Sequence, residues 1–289
     1  MPDRSWEHGL HQLIELKEGC EVTGGRKTIG RLTYQRFFRR YIRLAGMTGT
    51  ASEMAGELWS VYGLKVVRIP PNRRVQRRNR GTRLFGHADA KWRNVIQSIK
   101  TQVDCGRPVL VGTRSVADSE TVSNLLTAAG LDHATLNARQ DQEEAAIVAA
   151  AGQPGRITVA TNMAGRGTDI ALDPVSKDAG GLHVILTEFH ESARIDRQLY
   201  GRAARQGDPG SFQAIVAVDD ELARRFVSPS FRSTLARLAA NRPWQGWVAQ
   251  ALRLFTQWRA ERINAAARRG TQQADKKLTK ALSFSGAGE

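Results

Sequence analysis

Two short segments of this sequence gather the side chains that could handle a phosphate. In the first, Thr158-Val-Ala-Thr-Asn-Met-Ala-Gly-Arg-Gly-Thr-Asp169, a β-branched run enters a loop where Gly165 and Gly167 flank Arg166. Glycine lets a backbone come close to a phosphate, and arginine presents a planar fork of donors to its oxygens. In parallel α/β sheets such loops, at the carboxyl ends of strands, are where ligands bind. In the second segment, Gln198-Leu-Tyr-Gly-Arg-Ala-Ala-Arg-Gln-Gly-Asp-Pro-Gly210, Arg202 and Arg205 are three apart and share a face if the segment is helical. With Gln206 beside them and Gly207-Asp208 as a stop, two guanidiniums suit stabilisation of charge on a transferring phosphoryl group. A lone GRG is usually a plain turn and a lone RxxR a solvated basic face. Both segments in this order, with a strand at Leu182–Thr187 between them, favour phosphate chemistry.

These loops need a scaffold, and the hydrophobic pattern supplies one. Short β-branched runs at Val66–Ile69, Pro108–Thr113, Ala134–Leu136, Ile157–Thr161, Leu182–Thr187 and Phe212–Val218 predict strands. Helices are predicted between them at Ala88–Val103, Val116–Ala129, Gln142–Ala150 and Ser192–Arg205. Strands alternating with helices of this length imply an α/β fold: a parallel sheet with helices on both faces. Ahead of it, Trp6–Lys17 reads as an amphipathic helix ended by Gly19, followed by an apolar patch at Phe37–Leu44. After Val218 the strand signals stop. Trp244, Val248, Ala251, Phe255 and Trp258 then recur at helical spacing, and Arg262 and Arg269 take over the same face. That stripe predicts a helix docking its aromatic side on the domain and projecting beyond it, with membrane-surface binding as the alternative. The expected division is 1–44 as a helical connector, 45–222 as the α/β domain and 223–289 as a basic helical tail.

The 289 residues are 41% hydrophobic and 25% charged, which excludes a disordered or collagen-like chain. The net charge of +15 is unevenly spread: Arg68–Arg83 carries +7 and 223–289 carries +10, whereas 84–222 carries −5. The excess therefore belongs to docking surfaces that would meet an anionic partner, first an anionic lipid surface and second nucleic acid. Cys20 and Cys105 are far apart and have no metal-ligand spacing, so no metal site is expected and a reduced compartment fits. No apolar run is long enough to span a bilayer, and Met1–Leu10 lacks the apolar core of a signal peptide.

At these residues the sequence resembles the second nucleotide-binding domain of SecA, the ATP-driven preprotein translocase motor related to DEAD-box-like helicases. Leu44-Ala-Gly-Met-Thr-Gly-Thr-Ala51 resembles the segment standing in for helicase motif III, Pro108-Val-Leu-Val-Gly-Thr113 motif IV, Ala160–Ile170 motif V and Gly201–Asp208 motif VI. His8-Gly-Leu-His11, Ala145-Ala-Ile-Val148, Gly180-Gly-Leu-His183 and His190-Glu-Ser192 are further signatures. The likeness runs from Ser5 to Leu222, and the tail from Trp244 resembles the start of the family's scaffold helix. It implies a RecA-like sheet, ATP with Mg²⁺, and arginine fingers at Arg202 and Arg205. Gly165, Arg166, Gly167, Asp169 and Gln206 would adjoin nucleotide. Thr48 and Thr50 would link nucleotide state to movement, and Arg194 would form a salt bridge to the first motor domain. The implied partners are that P-loop-containing domain or chain, preprotein, the membrane translocation channel and anionic lipid, on the inner face of the cell membrane. Departures from the family pattern are Ala204 for a glycine, Phe189 and Ala193 for arginines, a short Ile170–Gly180 segment, and Arg77–Arg83 where the family is more acidic.

A complete ATPase of this class needs GxxxxGK[ST] and an acidic pair for magnesium. The nearest P-loop match, Gly19–Thr28, has Lys27 and Thr28 displaced and a helix before it. Val216-Ala-Val-Asp-Asp-Glu221 resembles an acidic Walker B strand but follows motif VI. The expectation is therefore the C-terminal half of a SecA-like ATPase, truncated or encoded by a split gene, whose ATP site is completed by another domain or chain. The alternatives are the second domain of a nucleic-acid helicase, against which the arginine run has no interleaved aromatics for base stacking, and a non-enzymatic adaptor.

Overall fold

A computed structural model describes residues 9–24, 32–136, 141–161, 168–240 and 242–283. In chain order the elements are α1 (Leu10–Lys17), α2 (Tyr34–Phe38), a 3-10 turn (Ser52–Met54), α3 (Ala55–Tyr62), β1 (Gln76–Phe85), α4 (Ala88–Asp104), β2 (Val109–Thr113), α5 (Val116–Ala128), β3 (Ala134–Leu136), α6 (Asp141–Ala150), β4 (Ile157–Thr161), α7 (Pro174–Asp178), β5 (Leu182–Leu186), α8 (Ala193–Tyr200), β6 (Pro209–Ala217), α9 (Glu221–Phe226), α10 (Pro229–Ala240) and α11 (Arg242–Ser283).

The six strands form one sheet in the order β1-β6-β5-β2-β4-β3, and every pairing is parallel. The side-chain period of two divides each strand between two cores. Val109 and Val111 of β2, with Ile157, Val159, Ile185 and Ile215, pack under α4 and α5 through Trp92, Val95, Ile99, Val122 and Leu126. The alternate residues, among them Leu84, Leu110, Ala160, Leu182, Val184, Ala214 and Val216, pack against Leu199 and Tyr200 of α8, Leu222 of α9, Leu235 of α10, and Ala249 and Leu252 of α11. Both faces are thus covered, which is why the central strands read as unbroken apolar runs. This is the α/β, RecA-like parallel sheet with helices on both faces and a helical C-terminal segment that the sequence predicts.

Three details depart from the predicted elements. Val66–Ile69 is not a strand, and Val67 and Ile69 are exposed. The edge strand is instead β1, whose sequence QRRNRGTRLF includes most of the arginine run. Its ladder to β6 runs from Gln76 opposite Pro209 to Phe85 opposite Ala217, with an irregularity between Asn79 and Thr82 where Gly81 has φ +87°. An edge strand covered on one side tolerates charged residues, so β1 lacks the β-branched signature. Secondly, α8 stops at Tyr200, five residues short of Arg205. The chain then takes left-handed backbone at Ala204 (φ 56°), Gln206 (φ 54°) and Gly207 (φ 84°), which no α-helix accommodates.

Thirdly, α11 docks through a different face. Ala249, Leu252, Thr256 and Ala260 are buried, whereas Trp244, Phe255 and Trp258 of the predicted stripe are exposed and Val248 is half-buried. Small side chains allow the helix axis to lie close to the sheet, and Gln245 Nε2 fixes the approach by donating to the Leu84 carbonyl at 2.7 Å.

Candidate functional site

The 48–50 turn, the carboxyl end of α8 and the turn after it surround a cavity of about 670 Å³ on the α8 face of the sheet. Leu110, Thr158 and Phe212 form part of its floor, and Thr48, Thr50, Arg77, Arg202 and Arg205 form its polar wall. The position of α8 depends on Gly112: a Cβ there would lie 2.2 Å from Leu199 Cδ2, so only glycine lets the helix reach the sheet.

Arg202 and Arg205 converge although they do not share a helix. Arg202 Nη1 donates to the Thr168 carbonyl at 3.2 Å and Arg205 Nη1 to the same oxygen at 3.4 Å. Arg205 Nη1 also reaches Asp169 Oδ1 at 3.0 Å, and its Nε donates to the Gly201 carbonyl at 3.0 Å. Asp169 and the two arginines are therefore one cluster. The Arg205–Asp169 pair is roughly 40–50% exposed, so it is weak enough to yield to a stronger anion. The turn after α8 is held against β6, since a Cβ on Gly210 would lie 2.6 Å from Ala204 N. Gln206 is exposed, and its carbonyl accepts Arg73 Nη1 at 3.3 Å. Gly165, Arg166 and Gly167 lie outside the described residues.

Arg77 was not singled out by sequence reasoning, because one arginine in a run of seven carries no distinguishing signal. It lines the same wall, and burial together with neighbouring Arg205 pushes its guanidinium below the ordinary arginine range. Thr48 and Thr50 bond to each other at 3.2 Å, and Gln198 Nε2 of α8 donates to Thr50 Oγ1 at 3.4 Å. Arg194, in the first turn of α8, does not line the cavity. Its charge helps to hold the Glu53 carboxyl below the usual range, behind the larger effect of the Arg197 hydrogen bond.

Ion pairs and buried hydrogen bonds tie the 48–62 segment, α8 and α11 into one strut. Glu53 pairs with Arg197 at 2.5 Å, and Glu57 takes a two-pronged bond from Arg268 at 2.7 and 2.9 Å. Fully buried Asp196 accepts from His190 Nδ1 at 2.8 Å and from Gln257 Nε2 of α11 at 2.7 Å. Ser192 Oγ donates to Glu261 Oε1 at 2.8 Å. Gln257, Glu261 and Arg268 escaped sequence reasoning because their partners lie more than sixty residues away.

The acidic residues after β6 are committed to structure. Asp219 accepts the Ala88 N–H at 3.2 Å, and buried Asp220 accepts the Ala217 N–H at 2.7 Å and pairs with buried Lys91 at 2.5 Å. Among the described residues, no group of three or more His, Cys, Asp or Glu could hold a metal ion. Likewise, no described helix is long and apolar enough to cross a membrane.

Comparison with known proteins adds to this geometry. The SecA P-loop domain family matches residues 74–177 and 173–242, and the SecA DEAD-like domain family matches residues 5–59. Protein translocase subunit SecA 2 of Nitrosospira multiformis is 56% identical across 100% of this chain, which spans 43% of that protein. Protein translocase subunit SecA of Bacteroides fragilis is 51% identical over 82% of this chain and 22% of its own length. Among solved structures, the Escherichia coli DEAD-box protein SrmB bound to regulator of ribonuclease activity A aligns with 54% of this chain and 88% of its own at 21% identity and a TM-score of 0.43. The chain thus spans less than half the length of the curated relatives it matches. With the SecA P-loop domain family alone matched from residue 74 to 242, more than half of its length, this chain belongs to the SecA family.

Proposed function

We propose that this chain acts as the second motor domain of a protein-translocating ATPase of the SecA type, with Arg202 and Arg205 as its arginine fingers. The observation that carries the reading is their convergence on the Thr168 carbonyl beside Asp169, at the wall of a cavity that Thr48 and Thr50 share. Two guanidiniums held a few ångströms apart offer fixed positive charge to a phosphoryl group as negative charge builds on its oxygens. They need no reorganisation, because neighbouring backbone carbonyls already orient them.

ATP would supply the phosphoryl group that is transferred. Its phosphates suit this arginine wall, whereas Mg²⁺ has no matching acidic cluster among the described residues, and GxxxxGK[ST] does not occur in the sequence. In this reading the P-loop and the metal ligands are contributed by another domain or chain. Gly165, Arg166, Gly167, Asp169 and Gln206 are assigned to the nucleotide side of this interface. Arg194 is assigned to the salt bridge with the first motor domain.

Thr48 and Thr50 sit where motion of the cavity wall reaches α8 through Gln198, and α8 passes it to α11 through Asp196 and Gln257. The translocated substrate is a preprotein, delivered to a membrane channel. The exposed side of α11, with Trp244, Trp247 and Trp258 and with Arg262 stacked 4.7 Å over Trp258, faces anionic lipid on the inner side of the membrane.

The test is Arg202→Ala combined with Arg205→Ala in a complex of this chain with a P-loop-bearing SecA domain. Loss of ATP hydrolysis on the order of 10³- to 10⁵-fold is expected. Hydrolysis within a few-fold of the unmodified complex would remove the finger assignment and favour an adaptor.

A further inference from the structure

Beyond the ATP-facing cavity, the amino ends of β1, β5 and β6 surround a second concavity of about 650 Å³, lined by Arg74, Arg77, Arg78, Arg80, Arg107 and the 179–180 and 209–211 backbone. We propose that it is a binding site for a compact polyphosphate, in which Arg74, Arg78 and Arg80 clasp the phosphate oxygens in front of the buried charge of Arg107.

Arg107 is 5% exposed and has no carboxylate partner among the described residues. Its guanidinium is neutralised by dipoles alone: Nε donates to the Gly181 carbonyl at 2.9 Å, Nη1 to Gln102 Oε1 at 2.7 Å, and Nη2 to the Gly180 carbonyl at 3.0 Å and Ser211 Oγ at 2.7 Å. A buried guanidinium is ordinarily paired with an acid. Here its charged neighbours deepen the imbalance: burial, then Arg80 and Arg78, push Arg107 below the ordinary arginine range. The same field reaches His183, whose Nδ1 meets Ser211 Oγ at 2.8 Å. Its pKa is lowered to about 3, first by burial and then by Arg107 and Arg80.

The front of the concavity is open to an anion. Arg74, Arg78 and Arg80 are exposed, and none has an ion pair within the described residues. Asp208, which immediately precedes β6, is already paired with Lys177 at 3.1 Å. Three unpaired guanidiniums and one buried positive charge around a concave volume match the charge of a di- or triphosphate. The volume lies in the range of small-molecule sites. Concavity favours a compact ligand over a bilayer surface, and the absence of aromatic residues from the lining gives no platform for stacked bases. Charge on an edge strand also discourages pairing with another chain, but that role needs no concavity and predicts no saturable ligand.

The experiment is calorimetric titration of the full chain with inorganic tripolyphosphate at low and moderate salt. Saturable one-to-one binding is expected, weakened roughly tenfold or more by Arg78→Gln with Arg80→Gln, since charge-assisted hydrogen bonds are lost. Both residues are exposed, so thermal melts should show these variants folded. The proposal is overturned if titration shows no saturable binding, or if Arg78→Gln with Arg80→Gln leaves the affinity unchanged. It is equally overturned if binding is lost with Arg202→Ala and Arg205→Ala, which would put the ligand in the ATP-facing cavity. A double variant that weakens binding only to mixed-sequence RNA or to vesicles of anionic phospholipid, and not to tripolyphosphate, would also contradict it.

Discussion

Two groups of arginines meet at Arg77, and the molecule treats them differently. On one side, Arg202 and Arg205 are held on acceptors of their own, the carbonyls of Thr168 and Gly201 and the Asp169 carboxylate. On the other, Arg107 is saturated by neutral dipoles, and Arg74, Arg78 and Arg80 are exposed with no ion pair among the described residues. The first group is aimed, at the modest cost of a surface ion pair that an incoming phosphate can displace. The second stores positive charge without spending it. The likeness between them at the level of composition, two arginine-rich stretches, therefore conceals two kinds of electrostatics. Arg77 lines both cavities, and burial together with Arg205 of the first group pushes its guanidinium below the ordinary arginine range.

Of the substitutions, removing the centre of the uncompensated group should have the largest effect on stability. Arg107→Met leaves the carbonyls of Gly180 and Gly181 and the Ser211 hydroxyl short of a buried donor, and should cost about 3 kcal/mol in chemical denaturation. A cost under 1 kcal/mol would mean that the dipoles around Arg107 are satisfied without it.

The same group sets a pH dependence. The unfolded chain protonates His183 near 6.5, whereas the folded chain resists until about 3. The unfolded state therefore binds more protons between those values, and stability falls as pH drops through that window, on the order of 5 kcal/mol over its full span. His183→Gln should remove this part of the slope, and Arg107→Met should narrow it. Parallel stability profiles for His183→Gln and the unmodified chain would contradict the assignment.

At the aimed group the expected effects are smaller. Ala204 holds φ 56° within the turn that carries both arginines, so Ala204→Gly should relieve the left-handed strain and raise stability by about 0.5–1 kcal/mol. A drop in melting temperature would show that the buried methyl group matters more than the backbone. The smallest change belongs to Asp169→Asn, which weakens an exposed ion pair and should alter stability by about 0.5 kcal/mol or less.

What could be read from the sequence follows which residues the fold buries on both sides. Val109–Thr113, Ile157–Thr161 and Leu182–Leu186 lie inside the sheet and announce themselves as β-branched runs. Strand β1 is invisible because its arginines lie along an edge, and only Leu84, near its end, is fully buried. The stripe of aromatics in α11 misled for a related reason: close docking selects alanine and threonine, so the large rings are left on the outside. At the candidate site, Arg202 and Arg205 stand out by their spacing and Thr48, Thr50 and Asp169 through the family resemblance; the two arginines and two threonines line one cavity, Asp169 pairs with Arg205, and 165–167 lie outside the described residues. The helical reason for pairing the two arginines did not hold, because left-handed turns rather than a helix bring them together. Arg77 and the strut residues Gln257, Glu261 and Arg268 were not legible, since each acts on a partner that only the folded chain brings near.

We propose that this chain supplies one wall of an ATP site whose P-loop side lies on another domain or chain. The direct measurement is ATP hydrolysis by the 289-residue chain alone and after mixing with a SecA domain that carries GxxxxGK[ST]. Little or no hydrolysis alone, and substantial hydrolysis on mixing, is the predicted result. Robust hydrolysis by the chain alone, abolished by Arg202→Ala with Arg205→Ala, would contradict it.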